Sequence, residues 1–460
     1  MTTTTAANLS RGPVWVAKLF LISLLTPYAV SVGPIVLMPH RVVILLFFLP
    51  FFLRLFVLRK SGKPILIDWL MLGSCVWAAL ALIANHPFSL VVEPIGVHMI
   101  ELFGAYLIAR VSIRCVEDFQ SFVRTFFIIV LVLFPFAAAE SLTQRPILLN
   151  LLPGSDVSPV NAGVRMGMRR AQTVFAHPIH FGAFVSTGLG LFWFGLHPRG
   201  LRFLATPIVT ASTVFSLSTG ALISLVMQFA FVAWETILRT MEKRWTLFAA
   251  LSVFGYILID LLSNRSPFHV LVTYASFSSR SAYNRILIWQ YGTDNIWDNP
   301  IFGLGLREWV RPPWMSASMD NFWLFIGVHY GLPSIAMLLG AIFLIVRLAS
   351  RVKLHTEQEN LCRAAYLVTI GGLIVAGGTV HYWHAMMAFV MFIFGTGIWT
   401  ISGGTARQVD GEAHEAKVTP QRSRYTRQSG IKQRGGGRAA EPAARREVNG
   451  SRRHGTRVER

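Results

Sequence analysis

Charge is scarce in this sequence. Only 14% of its 460 residues are charged and 53% are hydrophobic, whereas a soluble globular protein carries about a quarter charged residues. That deficit excludes a water-soluble fold of ordinary surface composition. Acidic side chains are the scarcer sign, 22 against 42 lysines and arginines. Cysteine is nearly absent: Cys75, Cys115 and Cys362 form no C-x-x-C pair, and their spacing offers neither a disulfide framework nor metal ligands. No internal repeat is visible, which counts against a transporter built from paired halves. No small-residue cleavage site follows the first apolar run, so residues 14–32 are expected to stay as a first membrane span.

What is present is a series of apolar windows, each about as long as a bilayer core is thick. They fall near residues 14–32, 41–58, 65–85, 90–110, 122–140, 178–197, 203–219, 220–237, 246–264, 321–347, 363–382 and 385–402. The expected fold class is therefore all-α and polytopic, with about 12 transmembrane helices. Basic residues mark every second exit: Arg59, Lys60 and Lys63, then Arg110 and Arg114, Arg199 and Arg202, Arg239, Lys243 and Arg244, and Arg347, Arg351 and Lys353. Under the positive-inside bias both termini are cytoplasmic. The net charge of +20 is half accounted for by Lys417–Arg460, with 13 basic and 3 acidic residues. That distribution argues against a nucleic-acid binder. Residues 403–460 read as a basic disordered cytoplasmic tail, able to meet anionic lipid headgroups.

Two outward loops are long, about 141–177 and about 265–320. Loops of that length are usually functional or disordered. The second holds Trp289, Trp297, Trp309 and Trp314, an aromatic content that predicts order. Residues 282–297 predict a short interfacial helix, capped by Ser281 and stopped by Pro300. On it Arg285 and Trp289 share a face. Gly303 and Gly305 permit a tight turn. The first loop places Arg165, Arg169 and Arg170 on the side that positive-inside proteins keep poor in arginine. Two outer arginine groups point to an anionic ligand, because a guanidinium fork grips a phosphate better than an ammonium does. His177 and His180 lack a third ligand at metal spacing and read as ordinary hydrogen-bonding histidines. Asp320 has two readings: a helix cap, or a general base at the mouth of the bundle. Gly327 and Gly331, with Pro333 behind them, predict close packing and a kink. Gly371, Gly372, Gly377 and Gly378 give the next span a small face. The run His381-Tyr382-Trp383-His384 reads as an interface belt, with His381 as a candidate site lining. Glu101, the best intramembrane acid, is expected to pair with a basic or polar neighbour inside the bundle.

These residues resemble a known family. Asn284-Arg285-x-x-x-Trp289, Asn299-Pro300-Ile301-Phe302-Gly303-x-Gly305, and Asp320-Asn321-x-x-Leu324 with Gly331-Leu332-Pro333 are similar to the core of the bacterial O-antigen ligase and polysaccharide polymerase superfamily. The stretch from Arg170 through Thr173 and Phe175 to Pro178 and Gly182 is similar to an earlier outer-loop motif. The resemblance extends over residues 1–402. It implies a GT-C-like membrane glycosyltransferase in the bacterial inner membrane, using no cofactor, nucleotide sugar or metal. Its donor would be an undecaprenyl-diphosphate-linked glycan and its acceptor a hydroxyl on a glycan or lipid-linked unit, with a chain-length regulator as a further partner. By resemblance Arg285 and Asp320 are the catalytic candidates. Arg170, Arg169 and Arg285 would hold the diphosphate, and Trp289, Asn321, His177 and His381 would line the site. Ligases of the family place His-Asn where this chain has Asp320-Asn321. That departure favours a polymerase of O-antigen or exopolysaccharide type over an O-antigen ligase acting on lipid A core, with a glycan transporter as the reading from another class.

Overall fold

The computed structural model describes residues 11–32, 35–160, 163–274 and 279–401; the basic tail lies outside the described residues. The chain is helical, with two small two-stranded antiparallel sheets besides. Among the described residues eight helices are long and apolar enough to cross a membrane: Pro39–Val57, Leu66–Asn85, Phe88–Ser112, Val116–Thr143, Thr219–Ile237, Arg244–Leu262, Phe322–Arg351 and Glu357–Gly377. The other four predicted spans are shorter helices. They are Val14–Ser23, the tandem Pro178–Ser186 and Gly188–Gly195, Arg202–Phe215, and Ala385–Thr396. This is a multi-pass membrane protein.

Several expectations change. The first span was expected to run to residue 32, but its helix stops at Ser23 and Val30–Val32 pairs with Ile35–Leu37 as a hairpin. Pro27 denies the helix a donor there, and the β-branched residues after it suit an extended strand. The helix carrying Arg285 spans Ser279–Asp298, so Ser281 lies within it and is not its cap. Its 20 residues could span a bilayer by length; polarity excludes it from the membrane-crossing set. Its C-terminal end falls just before Pro300, as expected.

Glycine and proline shape the second long loop. Gly331 (φ 82, ψ 173) breaks the Phe322–Arg351 helix. In an unbroken helix the carbonyls of Val328 and His329 would receive the N–H of residues 332 and 333, but residue 333 is proline and Leu332 donates to Pro300 O instead, at 2.7 Å. The two carbonyls accept from Leu304 (2.8 Å) and Gly305 (2.9 Å), so no buried polar group is orphaned by the kink. Gly303 and Gly305 hold left-handed φ values of 58 and 64, and a Cβ on Gly303 would strike Val328 O at 2.5 Å. From residue 279 onward the loop is packed. Leu287, Ile288, Ile296, Leu304, Trp309 and Met319 form a small apolar core with Leu324 and Val328.

Close packing elsewhere uses the predicted small face. A Cβ on Gly371 would meet Phe231, and one on Gly372 would meet Gln228. Gln228 reaches across, donating to Ser186 O (2.9 Å) and accepting from Gly190 N (3.1 Å). The ionic groups inside the bundle are paired. Glu101 receives Arg41 Nη2 at 2.6 Å and Nε at 2.8 Å, as expected of a buried acid. Asp68 accepts from Arg110 Nε (3.1 Å) and Tyr106 Oη (2.5 Å).

Candidate functional site

The 164–175 segment is drawn into the bundle after a tight hairpin, Val164–Arg165 with Met168–Arg169. Its turn residues Met166 and Gly167 both have positive φ, the conformation that suits a two-residue hairpin. Thr173, also at positive φ, donates its N–H to Glu140 Oε2 at 2.9 Å. A strained non-glycine residue held by a buried carboxylate is the kind of feature that gathers at functional sites.

The structure separates the three arginines that the sequence left grouped. Arg169 lies 3.6 Å from buried Glu140 and donates Nη2 to Val160 O (3.2 Å). Its charge is spent on holding the segment. Arg170, only 7% exposed, donates Nε to Ser216 O (3.3 Å), and Arg165 donates Nη1 to Leu217 O (2.8 Å). Both lean on the carbonyl end of the Arg202–Phe215 helix, where the backbone dipole favours cations. Among the described residues these are the only hydrogen bonds either guanidinium makes, so the remaining N–H groups of each fork stay available.

Arg285 and Asp320 join this pair. Asp320 raises the pKa of both Arg170 and Arg285, while Arg165 lowers both. Four groups, drawn from the first loop, the Ser279–Asp298 helix and the start of Phe322–Arg351, thus share one electrostatic neighbourhood. Burial is the larger influence, with Arg165 adding to it, and Arg170 is pushed down to about 10. It remains a cation at neutral pH. Arg170 and Arg285 thus lie in a field where Arg165 opposes Asp320, and desolvation makes such crowding of like charge costly.

Asp320 does not cap the helix. Asn321 does, accepting the Leu324 N–H at 3.0 Å while its Nδ2 donates to Gly378 O at 3.1 Å. Asp320 accepts from Ser318 Oγ (2.8 Å) and acts on Arg170 and Arg285 through its field. The cap reading fails because two adjacent residues can both cap and the neighbour holds the geometry.

His177 lies in the same field. Burial, Arg170 and Arg165 push its pKa down to about 4, with Asp320 opposing. Its Nδ1 accepts the Ile179 N–H (3.1 Å), so the neutral ring carries its proton on Nε2. Its ring lies 6.1 Å from Trp383, which touches His180 at 3.8 Å and stacks near His381 at 5.7 Å. His381 also packs on Phe325 at 4.1 Å. Trp289, expected to line the site, instead packs on Phe268 at 4.7 Å and is 42% exposed. Among the described residues no three acidic, histidine or cysteine side chains gather as metal ligands.

The sequence places Arg165 in the outer cluster without a role of its own and His384 in the interface belt, and it gives no reading of Arg41. Arg41 lies near the start of the membrane-crossing helix Pro39–Val57, where its charge is visible in the sequence.

Residues 204–339 match the family model for the O-antigen ligase (Wzy_C) domain. The matched segment includes Arg285, Asp320 and the Gly303–Gly331 corner, and excludes Arg165, Arg170 and His384. No curated protein matches the chain. By this match residues 204–339 are similar to an O-antigen ligase domain, in line with the O-antigen ligase and polymerase superfamily that the motifs resemble.

Proposed function

We propose, from that domain, that the chain is a GT-C-like membrane glycosyltransferase that polymerises a lipid-linked polysaccharide of O-antigen or exopolysaccharide type. The donor is a glycan on undecaprenyl diphosphate, and the acceptor is a hydroxyl of a second lipid-linked repeat unit. The reaction takes place at the outer face of the bacterial inner membrane, with both termini cytoplasmic. The observation that carries this reading is that Arg170 and Arg285, from separate chain segments, both feel Asp320 and a third cation, Arg165. A leaving diphosphate gains negative charge as the glycosidic bond breaks, and preorganised donors there stabilise the transition state most. Arg285 and Arg170 are assigned to the diphosphate, with Arg165 as a third cation. Asp320 takes the proton from the acceptor hydroxyl. Asp320→Asn tests that role directly, because Asn321 keeps the cap; a loss of about 10²-fold or more is expected, and ordinary turnover would contradict it.

A second reading is the ligase, which the domain matched by residues 204–339 does not separate from the polymerase. It shares the donor chemistry and differs in passing the glycan to lipid A core. Deleting the gene and examining the lipid-linked glycans distinguishes the two. A polymerase loss leaves single repeat units on undecaprenyl diphosphate; a ligase loss leaves long undecaprenyl-linked polymer. Unchanged glycans would contradict both.

A further inference from the structure

The Arg41–Glu101 pair is buried, at 5% exposure for each residue, and three unusual features meet around it. Glu101 sits in a π-helical turn, Met99–Gly104, a distortion that most often marks functional positions in helices. Arg41 donates to Val36 O (3.0 Å) as well as to Glu101, and Nη2 still reaches His384 Nδ1 at 3.4 Å. His384 holds φ 51 and ψ −131, a conformation that costs a non-glycine residue about 1–3 kcal/mol and persists where the surroundings over-determine it. The same short segment is pinned from the other side. Phe322 N–H donates to Val380 O (3.1 Å), and the buried Tyr382 hydroxyl donates to Leu373 O (2.8 Å).

The chemistry of the contact is directional. Arginine can only donate, so His384 Nδ1 must accept, and the neutral ring then carries its proton on Nε2. His384 is exposed, so that donor edge is open. The preceding residue, Trp383, stands beside His177, which feels Arg170 and Asp320. His384 is therefore linked to the surroundings of Arg170 and Asp320 through its neighbour Trp383 and His177.

We propose that His384 contacts the substrate as a fixed Nε2–H donor to a glycan oxygen, and that Arg41 and Glu101 are positioning residues that set its tautomer and orientation. The ligand class is a polyhydroxylated sugar, which offers acceptor oxygens without adding charge to a site already served by three arginines. This rests on the reading of the site as a glycosyltransferase for diphosphate-linked glycans.

The test uses purified full-length protein in lipid nanodiscs, with glycan transfer from an undecaprenyl-diphosphate-linked donor and separate binding of undecaprenyl diphosphate as readouts. His384→Ala is expected to lower transfer tenfold or more and leave undecaprenyl diphosphate affinity unchanged. His384→Gln, which can place an amide N–H near the Nε2 position, is expected to recover most of the turnover. His384→Asn suits the left-handed backbone better but sets its N–H near Nδ1, and is expected to stay as low as alanine. Arg41→Lys and Glu101→Gln should lower transfer while undecaprenyl diphosphate binding persists. Turnover of His384→Ala at the unsubstituted level would overturn the proposal. So would asparagine restoring more activity than glutamine, or loss of diphosphate binding together with transfer, which marks a structural role. Failure of Arg285→Ala to weaken undecaprenyl diphosphate binding would instead remove the glycosyltransferase reading itself, and is scored separately.

Discussion

Two kinds of buried arginine occupy this fold, and what balances them differs. Arg110 and Arg41 each meet a carboxylate at hydrogen-bond distance, Asp68 at 3.1 Å and Glu101 at 2.6 Å. Their charges cancel within the bundle. Arg170 and Arg285 instead feel Asp320 through its field, opposed by Arg165, and Arg165 and Arg170 rest on backbone carbonyls. A balanced pair holds helices together, whereas an excess of one sign leaves room for a ligand of the other. Balance therefore distinguishes a structural arginine from a binding one more reliably than burial does, since Arg110 and Arg170 are both buried.

The sharpest way to break this contrast is to remove the partner of a balanced arginine. Asp68→Ala leaves Arg110 and Tyr106 facing an empty site, and removing one member of a buried pair typically costs about 3–5 kcal/mol. Loss of folded protein in the membrane, measured by detergent-solubilised yield and thermal melting, is the expected result. An unaltered melting curve would mean the pair contributes nothing to the bundle.

Next in size is the comparison of adjacent arginines. Arg170→Ala should lower glycan transfer by about 10²–10³-fold, the range for removing a preorganised donor from a developing anion, with the protein still folded. Arg169→Ala should do the reverse, because it strands Glu140: less folded protein, but turnover per folded molecule within a few-fold of the parent. If the two variants exchanged these phenotypes, the assignment of Arg170 to the ligand would be wrong.

The smallest expected effect concerns pH. His177 is held neutral, with its pKa moved from the ordinary value of 6.5 to about 4. A base whose folded-state pKa is depressed contributes stability above its unfolded pKa, and that contribution is lost as pH falls toward the folded value. Melting temperature should be steady from pH 8 to about 6.5 and decline toward pH 4. His177→Asn, which can still cap Ile179, should make that decline shallower; an identical slope would take His177 out of the account.

Much of this was legible along the chain because it depends on local chemistry. Apolar windows located the membrane helices, Gly331 and Pro333 foretold the kink, and the Gly303-x-Gly305 spacing foretold the turn that docks on it. Other features depend on contacts that local sequence does not encode. Arg41 and His384 lie 343 positions apart. Neither period nor composition separates Asp320 from Asn321 as the cap, and only the approach of Leu324 and Gly378 decides it. The hairpin at residues 30–37 was hidden for a different reason: valine and isoleucine are as apolar as leucine, so a membrane-like window and a β-prone one look alike. Arg169 and Arg170 were separated only by Glu140, which arrives from another helix.

The proposed diphosphate site of Arg170 and Arg285, with Arg165 nearby, is open to direct measurement. Its most direct test is the affinity of the purified protein in nanodiscs for undecaprenyl diphosphate, compared between the parent and Arg285→Ala. Loss of a charge-assisted bidentate contact predicts weakening of about tenfold or more, with lysine at position 285 restoring only part of it. Equal affinity of the parent and the alanine variant would contradict the claim.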